Sequence, residues 1–367
     1  MKPKVAVVLP PRESFSAAGG GAISLVVHRL AAASRDEFDP FVIAPESGLP
    51  PFDDVQFCPV RVAFWPPASR AARYAASVAG VLSRLQPAMI EVHNRPDVAL
   101  ILSRRFASLP TVLFLHNDPA AMRAGRSASE RRRLLVRLAK IVTVSQFLRI
   151  KLLDGIEDTP RAVVLPNPVV CADFSRRLLA EAREPVLLFA GRMVRDKGAD
   201  AFVEAAAEAL PRLCGWRAEM FGADRFGPAS PTTRYLTALS RRARSVGTEL
   251  HGYRPQTEVL EAMGRAAITV VPSRWAEPFG LAALEAMAAG CALIAAPRGA
   301  LPEVAGDAAC YADPDKPGEL AAAMVALARD PAARQALGER GRARADKFDI
   351  AHVARALGSI RREVLRS

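Results

Sequence analysis

Short apolar runs rich in Val, Ile and Leu alternate with helical patterns along this 367-residue chain, and that alternation restricts its fold more than any other feature. The runs are VAVVLP (5–10), FVIAP (41–45), MIEVH (89–93), TVLFLH (111–116), IVTVS (141–145) and AVVLP (162–166). Strands that are apolar on both faces and spaced by helices predict a parallel sheet covered on both sides. After a linker through 168–184 the pattern restarts with PVLLFAG (185–191), RAEMFG (217–222), ITVVPS (268–273), ALIAAP (292–297) and ACYA (309–312). The restart predicts two doubly wound, Rossmann-like α/β domains, 1–168 and 169–348. From about Pro331 the chain reads as charged helix with a break near Phe348-Asp349, and the tail 349–367 is expected to pack back toward the first domain. Ligands of such sheets bind beyond the carboxyl ends of the strands, so two facing domains would enclose one cleft.

Half of the residues are apolar, enough for two cores. No run of 18 or more uncharged apolar residues occurs, and MKPKVAVVLPPRES turns into strand and polar loop too early for a signal peptide, so a cytoplasmic protein is expected. Cys58, Cys171, Cys214, Cys291 and Cys310 are scattered and form no CxxC pair; they read as reduced thiols. The net charge is +12, with +8 of it in residues 1–167, and a basic surface favours an anionic partner. Nucleic acid is not expected, because the cations are not interleaved with aromatics, which make up 6% of the chain.

The richest stretch is PSRWAEPFGLAALEAMAAGCALIAA (272–296), which reads as strand, loop, helix, strand. A loop entering a helix N-terminus offers free N–H groups and a positive dipole end, suited to phosphate, and Gly280 sits where a backbone would approach such a ligand. Glu285 lies a little over one turn along that helix, placed to accept hydrogen bonds from neutral hydroxyls, while Glu277 precedes the helix. Together they suggest a site for a nucleotide sugar. GRMVRDKG (191–198) follows the first strand of the second domain and opens its first helix, so Arg192 and Lys197 flank a strand-to-helix loop where two cations can grip a diphosphate. Arg195 reads as solvent-facing.

In the first domain Gly19, Gly20 and Gly21 lie between the first strand and first helix. Their spacing is not GxGxxG, and no acidic residue ends the second strand, so nicotinamide binding is disfavoured. His116 ends a strand and opens the loop Asn117-Asp118-Pro119, a position that points toward a ligand; His93 holds the same place one strand earlier and ranks second. His28, inside a helix, and His251, at the start of a loop, read as structural. Asp313-Pro-Asp315 resembles a metal-holding carboxylate pair but reads as a capped turn, and no metal site is expected.

GRMVRDKG, EPFGLAALE and the strand-ending His116, in this order, resemble the retaining glycosyltransferases of family 4, glycosyl transferases group 1, which have the GT-B architecture. VSQFLRIKLL (144–153), LPNPV (165–169) and LPEVAG (301–306) extend the resemblance over essentially the whole chain. It implies that Arg192 and Lys197 bind the donor diphosphate, Glu285 the nucleotide ribose and Glu277 the hydroxyls of the donor sugar. The backbone N–H groups of Phe279, Gly280 and Leu281 would contact the distal phosphate, Gly20 and Gly21 would line the cleft with His93, and His116 would sit near the reacting sugar.

The expected activity is therefore retaining, metal-independent transfer of a sugar from a nucleoside diphosphate to a hydroxyl of a cell-envelope glycan or lipid-linked acceptor, without a cofactor. Two cations and a helix N-terminus can stabilise the leaving diphosphate in place of a metal. The alternatives are a sugar-nucleotide epimerase of similar shape and a non-catalytic anion- or nucleic-acid-binding protein. MRAGRSASERRRLLVRLAK (122–140) sets seven cations around Leu134, Leu135, Val136 and Leu138, which predicts a basic amphipathic helix able to hold the protein on the inner face of the cytoplasmic membrane.

Overall fold

The computed structural model describes residues 2–62, 69–175, 183–225, 227 and 230–366, so part of the linker expected over 168–184 lies outside it. Seven strands, β1 (Lys4–Val8), β2 (Asp39–Pro45), β3 (Gln56–Val60), β4 (Met89–His93), β5 (Thr111–Leu115), β6 (Lys140–Thr143) and β7 (Ala162–Val164), form one sheet. Its order is β3-β2-β1-β4-β5-β6-β7, and every pairing is parallel. Six more strands, β8 (Glu184–Ala190), β9 (Arg217–Phe221), β10 (Thr248–Gly252), β11 (Ala266–Val271), β12 (Ala292–Ala295) and β13 (Ala309–Tyr311), form a second parallel sheet in the order β10-β9-β8-β11-β12-β13.

The strand order of each sheet reverses once, between β1 and β4 and between β8 and β11, and in sheets of this kind ligands bind beyond the carboxyl ends of the strands at such a point. β4, β5 and β11 are buried along their whole length, and β5 and β11 accordingly read as largely apolar runs, while β4 buries Glu91 and His93 as well. Sequence patterning does not reveal β3 or β10. Both are edge strands with polar or partly exposed residues, and β3 contains Pro59, which has no N–H to give to a ladder. His251, expected to open a loop, lies instead within β10, its ring stacked on Phe221 at 4.3 Å.

The chain divides into two compact units, one running to Pro168 and including the C-terminal helix Ile350–Arg366, the other spanning Val169–Asp349. A short 3-10 turn, Asp346–Phe348, marks the break before that helix. Arg361 fastens the helix to the first sheet. Its Nε and Nη2 donate to the two carboxylate oxygens of Glu91 on β4 at 2.8 and 2.9 Å, and its Nη1 donates to Ser34 Oγ at 2.8 Å. The guanidinium also lies 5.1 Å from the Phe38 ring centroid, and Arg361 and Glu91 are 1% and 2% exposed. A bidentate fork that uses three of its donors on fixed partners is well suited to a buried charge.

The outward apolar face expected for the helix in 122–140 is corrected by packing. The helix itself is only Ala128–Arg137, and Leu134, Leu135 and Leu138 are buried in the core of the first unit instead of facing outward. Arg131 is buried too, and donates to the carbonyls of Leu152, Gly125, Arg126 and Asp154. Lys140 is buried and paired with Glu363 at 2.7 Å. Arg123, Arg126, Arg132, Arg133, Arg137 and Val136 are what remains exposed, so the segment has cations outside but no apolar stripe to insert. No described helix is long and apolar enough to cross a membrane.

Removal of one partner of the Glu91–Arg361 pair strands a buried charge. Glu91→Leu is expected to cost about 3–5 kcal/mol, and the double change with Arg361→Met to cost less than either single change. Urea unfolding of the three variants checks this, and an additive double mutant would contradict it.

Candidate functional site

In the second unit the loops after β8 and β11 are bound to each other at two backbone carbonyls, Arg195 O, which accepts from Arg274 Nη1 at 3.3 Å, and Asp196 O, which takes three bonds. Asp196 O accepts from Arg274 N at 2.9 Å, Trp275 N at 3.0 Å and Ser273 Oγ at 3.1 Å. The approach is close enough that a Cβ on Gly198, at φ 70°, would stand 1.8 Å from Pro272 O, so only glycine fits. Gly198 also ends the 3-10 turn Arg195–Lys197 and starts the helix Ala199–Ala209.

The result is that Lys197 and Glu277, far apart in sequence, form an ion pair. Lys197 Nζ donates to both carboxylate oxygens of Glu277, at 2.7 and 2.8 Å, and stands 5.4 Å from the Trp275 ring centroid. Glu277 is 5% exposed, which excludes a solvated loop residue, and its carbonyl accepts from Ala300 N at 2.8 Å. Arg192 is half-buried, and its guanidinium makes no ion pair among the described residues; Arg195 is exposed.

Phe279 is buried, and Gly280, at φ 98°, is the N-cap of the helix Leu281–Ala288, which no side chain caps. Its first N–H groups are thus left for an external acceptor. Glu285, one turn further, is 8% exposed and accepts from Gln256 Nε2 at 2.6 Å. Sequence reading misses Gln256. It opens the helix Gln256–Arg265 beyond the carboxyl end of β10, so its position would have signalled it had that strand been recognised.

Asp313 and Asp315 are engaged by arginines: Arg298 Nη2 lies 2.8 Å from Asp313 and 2.6 Å from Asp315, and Arg274 Nε 2.7 Å from Asp315. A cation there would have to displace guanidinium. Among the described residues the fold gathers one His/carboxylate group that the sequence does not suggest, Glu219, Glu249 and His251, whose ligand atoms lie within 4.8 Å of one another. Glu219 is already paired with Arg217 at 2.8 Å and Arg265 at 2.7 Å; burial opposes its charge, but those two arginines outweigh it and hold its carboxyl below the usual range.

In the first unit the glycine loop follows β1, His93 ends β4 and His116 follows β5, three adjacent strands. The loop spends its donors on itself: Gly20 N donates to Ser16 O at 2.8 Å, and Gly21 N to Glu13 Oε1 at 2.7 Å. The same Glu13 oxygen accepts from Ser24 N at 3.2 Å, so Glu13 caps the helix Ala22–Ala33, and its burial raises its pKa against the pull of these two N–H groups. His28, in that helix, is tied to Asp54 at 2.6 Å and stacked on Phe52.

His116 follows β5 directly, with its backbone N–H donating to Asn94 Oδ1 at 3.1 Å; Asn94 holds a left-handed φ of 56° to reach it. Its side chain meets His93, Nε2 to Nδ1, at 2.9 Å. Burial pulls His116 down to about 4, and burial, then His116 and Arg361, pull His93 well below the usual histidine range. Both rings are therefore neutral near pH 7.

Two family models match the chain, Glycosyltransferase Family 4 over residues 19–173 and Glycosyl transferases group 1 over 172–344. A curated relative, the D-inositol 3-phosphate glycosyltransferase of Corynebacterium kroppenstedtii, is 29% identical over 206 residues, 52% of this chain and 43% of that protein. The matched stretch is thus less than half the length of that relative. Among solved structures, the sucrose-phosphate synthase of Thermosynechococcus elongatus superposes with a TM-score of 0.79 at 17% identity over 99% of both chains. HepE of Anabaena, in complex with UDP, superposes with a TM-score of 0.76 at 18% identity, over 99% of this chain and 100% of that one. Two parallel-sheet α/β units of GT-B type and two adjoining family models that together run from 19 to 344 make this chain a glycosyltransferase of family 4, group 1.

Proposed function

We propose that the protein transfers a sugar from a nucleoside diphosphate, with retention and without a metal, to a hydroxyl of a cell-envelope glycan or lipid-linked acceptor. The observation that carries this reading is the Lys197–Glu277 pair beside the uncapped start of the helix Leu281–Ala288, with Glu285 one turn further on. A diphosphate placed at that helix start is met by backbone N–H groups and by the positive end of the helix dipole. Lys197 and Arg192 supply two full cations to the charge that builds on the leaving diphosphate. Glu285, steadied by Gln256, accepts from ribose hydroxyls, and Glu277 accepts from hydroxyls of the donor sugar. Structures of HepE with UDP and with UDP-glucose favour a uridine donor for this chain. An epimerase would share the donor site, but the matched families are transferases.

Glu277 occupies Lys197 until a phosphate competes for it, so the two side chains should respond oppositely to mutation. Lys197→Ala and Glu285→Ala are expected to weaken UDP binding by roughly tenfold or more, since each loses a hydrogen bond to or from a charged group. Glu277→Gln is expected to bind UDP about fivefold more tightly, from the release of roughly 1 kcal/mol of ion pairing, and yet to lose transfer. Calorimetric titration with UDP and turnover of labelled sugar nucleotides check both; unchanged UDP affinity in Lys197→Ala and Glu285→Ala would remove the donor site from this loop.

Transfer is expected to persist in excess chelator. Loss that magnesium fully restores would contradict the metal-free reading and redirect attention to Glu219, Glu249 and His251.

A further inference from the structure

The contact between His93 and His116 joins two rings in a buried place with a fixed number of protons. His93 is 2% exposed, stacked on Phe114 at 4.6 Å with 15° between planes, and its Nδ1 stands 2.9 Å from His116 Nε2. Its other nitrogen, Nε2, is buried and has no hydrogen-bond partner among the described residues. His93 also lines a cavity of about 10 Å³ with Val7, Leu30, Glu91, Leu357 and Arg361, at the lower limit for a single water. His116 Nδ1 has no hydrogen bond to another described residue.

A neutral imidazole has one N–H and one lone pair. The contact between the rings therefore holds one proton, and two arrangements are open. If His116 donated from Nε2, His93 would carry its own proton on Nε2, a buried donor with no acceptor among the described residues. Orphaned buried N–H groups are rarer than unused acceptors, and leaving one unmet costs its full desolvation. If His93 donates from Nδ1 instead, its Nε2 keeps a lone pair, and no buried donor is left over. His116 then spends its Nε2 lone pair on His93 and must carry its proton on Nδ1.

We propose that His93 is a positioning residue that fixes His116 as the Nδ1–H tautomer, so that His116 meets its substrate as a hydrogen-bond donor to oxygen and not as a base. The functional half of this rests on the glycosyltransferase reading above; the tautomer does not. No proton changes hands: the Nδ1–H donates to a sugar oxygen and stays on the ring. Glu91, which lines the same cavity, is held by Arg361 and makes no hydrogen bond with His93 Nε2.

Long-range ¹H–¹⁵N spectra of the uniformly labelled protein read the tautomers directly. Both His93 and His116 are expected to show protonated Nδ1 near pH 7, with signals assigned from single His93 and His116 variants. His93→Phe removes the donor, so the His116 signal should shift toward protonated Nε2, and turnover should fall roughly tenfold to a hundredfold with UDP affinity unchanged. His93→Asn places an amide N–H₂ near the former Nδ1 and should restore the His116 tautomer and much of the turnover. Protonated Nε2 on His116 in the unaltered protein, or a His116 signal indifferent to His93→Phe, would overturn the proposal. Should no sugar nucleotide be turned over at all, the functional reading fails while the spectra still decide the tautomer.

Discussion

The donor-side geometry of the second unit depends on the junction centred on the Asp196 carbonyl. Asp196 O accepts from both backbone N–H groups and the hydroxyl that open the loop after β11, which fixes that loop to the one after β8 at the point where strand order reverses. Gly198 permits the approach, Lys197 is delivered beside Glu277, and the chain then enters the helix that carries Glu285. None of these side chains could take its place if the two loops moved independently, because the Lys197–Glu277 contact requires both.

A second, separate constraint governs the first unit. Glu91 and Arg361 neutralise each other in a core that would otherwise reject either charge, and they hold the last helix against β4. Two residues along the same strand, His93 lies beside that pair and beneath His116. The polar groups of this strand are thus arranged so that charge is satisfied at one end and a neutral hydrogen bond is passed on at the other. Burial explains why the two histidines stay uncharged, and their contact explains why the ring nitrogens are not equivalent.

Several features were readable from residues alone for identifiable reasons. Central parallel strands are mostly apolar on both faces, so β5 and β11 stood out, and the restart of that pattern at 185 announced a second sheet. Edge strands are under no such demand, and β3 and β10 went unseen; with β10 went Gln256, whose place depends on where that strand ends. The leucines of 128–138 illustrate the opposite error. Helical spacing shows that they share a face, but it does not say whether that face meets lipid or the protein's own sheet, and here it meets the sheet.

By itself, then, the sequence determined the class of fold, the two sheets, and the loops whose glycines, cations and carboxylates suit a nucleotide sugar. These follow from local demands: apolar strands, backbone angles that favour glycine, and charge at helix starts. Tertiary structure alone decided which of those groups meet. That Lys197 is neutralised by Glu277, that Gln256 holds Glu285, that Arg361 comes from the far end of the chain to Glu91, and that His93 spends its Nδ1 on His116 are all contacts between residues distant in sequence. Spacing along the chain carries no record of such contacts, because strand order, not chain order, sets which strand ends are neighbours.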